Sequence, residues 1–82
     1  MVTLPSVHIN GTPKQSLFDD NMTALEAIDA AMLAVQKAAP HGRDYYVQDG
    51  EAYKAALAEH TARITKLNSV RRELLQIVEH LL

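Results

Sequence analysis

The chain contains no cysteine, which excludes a disulfide scaffold, a thiol nucleophile and a thiolate zinc site. It also lacks an excess of positive charge. Eight Lys and Arg stand against ten Asp and Glu, for a formal net charge of −2, whereas a general nucleic-acid binder needs a basic face. No apolar run approaches the ~18–20 residues of a membrane span. The first seven residues show neither the basic start nor the apolar core of a secretory signal, so neither a membrane nor a secretory route is expected. The two sequons, Asn10-Gly11-Thr12 and Asn21-Met22-Thr23, are then chance matches.

Metal-binding patterns are missing as well. Ferritin-type bundles need Glu-x-x-His, but the residues three before His8, His41, His60 and His80 are Pro5, Ala38, Leu57 and Ile77. No paired acid and base suggests catalysis, and His8 or His41 as a general base would have no evident partner to orient it. No metal, no cofactor and no enzyme activity are expected.

What is present reads as one globular all-α domain. Apolar residues make up 48% and charged residues 22% of the 82 positions, a balance that separates the chain from disordered sequences. The spacing predicts a short arm over residues 1–11, a helix over 12–39, a loop over 40–49 and a helix over 50–82. In the arm, Val7-His8-Ile9 is expected to run extended before Asn10-Gly11 turns the chain. Thr12, Pro13 and Gln15 form a capping-box start, with Pro13 at the first helical position. Phe18, Leu25, Met32 and Ala39 then recur every seven residues, with Asn21, Ile28 and Val35 three further on. That is one apolar stripe along an alanine-rich helix, and Pro40 ends it.

Asp49 is expected to cap the second helix. Tyr53, Leu57, His60, Ile64, Leu67, Val70, Leu74, Ile77 and Leu81 step along it by three or four. Glu59 and Arg63 have the favourable i, i+4 order. At ~1.5 Å per residue both helices exceed roughly 40 Å, and a loop of about ten residues lets them fold back antiparallel. Acids lead bases four to two over residues 12–39, and bases lead acids five to four over 51–82, which agrees with pairing. His60 then lies in the seam as a buried polar residue, with Asn21 a candidate neighbour. Arg71 is expected to snorkel beside the same seam.

Two helices meeting through one stripe each make a thin core. Below ~70–80 residues even a complete core rarely supplies more than 3–5 kcal/mol. The final stretch carries apolar residues on more than one face, so that Leu75, Val78 and Leu82 have no place in a single seam. Two readings follow. Either the arm covers them locally, or the chain self-associates, most simply as a two-fold dimer forming a four-helix bundle. Self-association into an oligomeric helical bundle, at least a dimer, is the expectation.

The loop carries more chemistry than a connection requires. His41, Arg43, Asp44, Tyr45 and Tyr46 fall within six residues. Arginine recognises phosphate or carboxylate through a planar fork, and tyrosine offers a face on which a ring stacks. The other reading makes the tyrosines a plug for the open end of the hairpin, with Arg43 and Asp44 paired to helix ends. A second polar cluster, His8, Asn10 and Thr12, lies at the far end of the first helix. In an antiparallel dimer the loop of one chain approaches the arm of the other, giving two composite sites. The expected occupant is a small anionic, nucleotide-like ligand; the rival is a protein–protein module that inhibits a host protein or serves in particle assembly through the helix surface and the tyrosine loop.

Several of these segments together resemble known sequences. They are His8-Ile9-Asn10-Gly11-Thr12, Ala39-Pro40-His41-Gly42-Arg43-Asp44-Tyr45-Tyr46, Glu59-His60 with Arg63, and Val70-Arg71-Arg72-Glu73-Leu74. Over nearly its whole length the chain resembles small proteins encoded by tailed phages and prophages, with Gly-Arg-Asp-Tyr-Tyr the most specific piece. The resemblance implies a phage origin and a place in the cytoplasm of a bacterial host. It carries over no activity. Small phage proteins of this build include accessory factors that block host defence, some of them oligomeric helical sponges for cyclic nucleotide signals, which is an analogy of type.

Overall fold

The computed structural model describes residues 2–82; Met1, the first residue of the expected arm, lies outside the described residues. Two helices dominate, α1 over Lys14–Lys37 and α2 over Ala52–His80, joined by a loop that holds one 3₁₀ turn at Gly42–Asp44. They pack antiparallel as a hairpin. No strand occurs among the described residues.

The helix ends depart from the capping expectations. Pro13 takes the N-cap position of α1, with φ −56° and ψ 144° and no side-chain cap bond. Its carbonyl accepts from the Leu17 N–H at 3.1 Å. The helix therefore starts one position later than a capping box requires. Thr12 is left outside, and Gln15 Nε2 instead donates to Asp19 at 2.8 Å. At the other end α1 stops three residues before Pro40. The Ala38 and Ala39 N–H groups bond back to Val35 and Gln36, the tightened last turn by which helices satisfy their final carbonyls. Asp49 sits two residues ahead of the N-cap Glu51. Its carboxylate accepts from the Glu51 N–H at 2.9 Å and its carbonyl from the Ala52 N–H at 3.1 Å, so it builds the turn that launches α2 rather than capping the helix itself.

Arg71 Nε donates to Asp29 Oδ1 at 2.6 Å across the seam. The guanidinium expected to snorkel is thus held by a carboxylate on the opposite helix. This pair fixes the register, because each step forward along α1 is matched by a step back along α2. Asn21 is level with Glu79 near the arm end, while His60 is level with Pro40 near the loop. The two seam polar residues are therefore not neighbours, and Asn21 satisfies itself by donating to the Leu17 carbonyl at 2.8 Å.

The core is thin. Among the described residues only Leu25, Ala56, Val78 and Leu81 are buried. Val78, expected to face a second partner, is enclosed by its own chain. It lies one heptad past Arg71, on the side of α2 that α1 already covers. The arm contributes to that cover: His80 Nε2 hydrogen-bonds the Pro5 carbonyl at 2.9 Å, and an open concavity is lined by Val2, Leu4, Gln76, Glu79 and His80. Local cover by the arm therefore accounts for part of the two-faced terminus. It does not account for Leu82, which is 80% exposed beside a Leu81 that is 2% exposed.

The molecule is a rod of 61 × 22 × 17 Å with a radius of gyration of 18.2 Å, against roughly 12 Å for a compact chain of this length. It exposes 6135 Å², where a compact monomer of this mass exposes roughly 4,900 Å².

Candidate functional site

The loop begins with His41 in extended backbone, φ −111° and ψ 139°. The Asp44 N–H then bonds the His41 carbonyl and the Tyr45 N–H the Gly42 carbonyl, each at 3.0 Å. A third 3.0 Å bond, Gln48 N–H to the Tyr45 carbonyl, continues the coil. Successive tight turns of this kind point neighbouring side chains in different directions, and the two tyrosines separate. The Tyr45 ring packs on Tyr53 at the start of α2, with centroids 6.2 Å apart and planes tilted by 35°. Tyr46 is 79% exposed, beside an equally open Val47.

The two readings of the loop therefore divide between its residues. Tyr45 is half-buried against the Tyr53 ring. Arg43 and Asp44 do not pair with helix ends: both are exposed, and neither forms an ion pair among the described residues. Arg43, Tyr46 and Val47 form an exposed tip, with His41 open at its base. Gly42 provides no special backbone freedom, since no glycine here has positive φ. A Cβ at Gly42 would meet the Tyr53 ring at an ordinary 3.7 Å.

At the other end of the rod, His8, Asn10 and Thr12 are all exposed. The Gly11 N–H closes a turn onto the His8 carbonyl at 3.0 Å. The His8 ring folds over this turn so closely that a Cβ on Gly11 would lie 2.7 Å from Nε2. Within one chain the arm cluster and the loop tip are separated by the 24-residue length of α1, about 36 Å. Within one chain Arg43 and Tyr46 stand exposed three residues apart in the loop, and His8, Asn10 and Thr12 stand exposed in the arm, but the two sets lie at opposite ends of α1.

Residues 40–49 line none of four of the better-formed open concavities along the rod. Three gather at the arm end. One of about 450 Å³ is lined by Lys14, Gln15, Phe18, Leu81 and Leu82. The fourth, of about 400 Å³, sits at mid-rod around the Asp29/Arg71 pair, with Met32, Leu33, Gln36 and Asn68. Among the described residues no group of three or more His, Asp or Glu is placed to hold a metal ion. No helix there is long and apolar enough to cross a membrane.

The clasp of arm and α2 was absent from the expected site. Its only signal in the sequence is weak: Val2, Leu4 and the neighbouring Pro5 in a segment with no helical period, read against the apolar end of α2. No family model matches the chain, and no curated protein or solved structure is significantly similar to it.

Proposed function

We propose that this chain is a non-enzymatic interaction module that works as an assembly of helical hairpins, with the 43–47 tips as its recognition elements. The observation that carries this reading is the thin core. Four residues are buried among those described, which falls short of what an independent domain needs. The exposed surface exceeds that of a compact monomer by roughly 1,200 Å². Partner chains supply the missing layer. As a phage protein in the cytoplasm of a bacterial host, such a module would inhibit a host protein or serve in particle assembly.

One observation favours a second reading. Arg43 is exposed and forms no ion pair among the described residues, and Tyr46 is exposed three residues away. Together they offer charge and a stacking surface to a small, nucleotide-derived anion. Sequestering such a ligand needs no catalytic group, but it does need enclosing walls beyond an exposed guanidinium and an exposed ring. Both readings therefore start from assembly.

The test is denaturant unfolding followed by circular dichroism over a range of protein concentrations. Folding coupled to association raises the midpoint as concentration rises. A midpoint independent of concentration contradicts the module. Calorimetric titration with linear and cyclic nucleotides separates the two readings: binding that Arg43→Ala abolishes favours the second, and no binding leaves the first.

A further inference from the structure

Resting on that reading of the chain as an assembly, we infer which face a second copy covers and in which direction it lies. Leu57, Ile64, Asn68, Arg71, Leu75 and Leu82 follow one another at steps of seven, four, three, four and seven. All these steps keep to one side of a helix. The Asp29/Arg71 pair and the mid-rod concavity that includes Leu33 lie on this same flank. Leu33 is 62% exposed there. Along the stripe Leu57, Asn68 and Leu82 are exposed while Ile64, Arg71 and Leu75 are half-buried at its edge with α1, and the arm packs instead against Gln76, Glu79 and His80.

The spacing reads the same in both directions. A two-fold axis beside Asn68 and Leu33 places Leu57 of one copy against Leu82 of the other. It places Ile64 against Leu75 and Asn68 against Arg71. Leucine or isoleucine meets leucine at both outer levels, as an isologous contact requires. Charge does not oppose the contact, because Arg71 is already neutralised by Asp29 within each chain. The area is also appropriate. A standard interface takes about 800 Å² from each partner, within the roughly 1,200 Å² by which this rod exceeds a compact monomer.

The occupant of this flank is therefore a second copy of the chain, running antiparallel. That direction carries each Arg43/Tyr46 tip toward the arm turn of the partner, where His8, Asn10 and Thr12 stand exposed. The dimer then holds two composite sites, each incomplete without the other chain.

A chain without cysteine allows a direct test. Leu57→Cys and Leu82→Cys chains are prepared separately, mixed, and treated with a thiol-to-thiol linker about as long as one helix diameter, roughly 10 Å. Within one chain these positions are about 37 Å apart along α2, so the linker reports only contacts between chains. A covalent dimer in the mixture, well above that from either variant alone, is the expected result. Cross-linking of either variant with itself means a parallel pair and overturns the inference. A mixture that gives no product while light scattering of the same sample reads a dimer also overturns it, leaving the assembly reading intact. A single-chain mass overturns both. Leu33→Asp adds a readout independent of the linker: at least tenfold weaker association is expected, with helicity recovered as protein concentration rises, and unchanged association contradicts this face.

Discussion

Leu81 and Leu82 are adjacent leucines in opposite environments, and replacing each by alanine should separate burial from composition. Leu81 is 2% exposed. It lines the concavity with Phe18 and Lys14 at the start of α1 and another with Leu4, Pro5 and Val7 of the arm, so three segments converge on it. Truncating a buried leucine removes its transfer free energy and leaves a cavity, at about 2–5 kcal/mol. The open surroundings allow partial collapse, which puts Leu81→Ala at the low end, about 2–3 kcal/mol. For a domain of this size 1 kcal/mol moves the melting temperature by about 4–8 °C, so a fall of about 10–20 °C follows. Leu82, 80% exposed, has little to lose within its own chain. Its replacement should cost under about 0.5 kcal/mol when chains are dilute, and more only where they pair. Thermal unfolding by circular dichroism at two protein concentrations reads both numbers. Equal effects at the two positions, or a larger one at Leu82 under dilution, would refute the clasp.

Further outcomes follow from individual contacts. His60 is half-buried in the seam and Asn21 is engaged elsewhere, so His60→Leu should leave the unfolding midpoint unchanged or raised; a fall of more than about 1 kcal/mol would show a partner that the seam does not reveal. Tyr45→Ala should destabilise the hairpin by about 1 kcal/mol or more through loss of the Tyr53 packing, whereas Tyr46→Ala should leave its urea midpoint unchanged. For the Asp29/Arg71 pair, side chains 49% and 36% exposed imply a coupling below about 1 kcal/mol in a double-mutant cycle of Asp29→Asn and Arg71→Gln, shrinking further in salt.

The hairpin was legible because its signals are periodic and local. Phe18, Leu25 and Met32 mark one face of α1, and the steps from His60 to Leu81 mark one face of α2. Boundaries were less legible. Whether Pro13 is the cap or the first helical residue depends on its ψ of 144°, and both choices suit the same Thr-Pro sequence. The Asn21 and His60 assignment failed on register. Sequence shows that each residue faces the seam, but only the Asp29/Arg71 contact fixes how far one helix slides along the other. Val78 was assigned to a second partner because a two-faced terminus looks alike whether an arm or another chain covers it. In sequence the loop is one cluster, yet Tyr45 packs on Tyr53 while Tyr46 stays exposed. Adjacent residues in a tight turn project in different directions, and the choice of which ring meets Tyr53 is a tertiary one.

Whether this rod functions alone is decided by the molar mass of the purified chain in solution, read by light scattering at micromolar concentration. A mass of at least twice the 9.1 kDa of one chain is predicted, shifting toward the single-chain value in Leu33→Asp but not in Ala58→Lys, whose exposed site lies about 100° round α2 from Leu57. A stable 9.1 kDa species that is fully helical and unfolds cooperatively would contradict it.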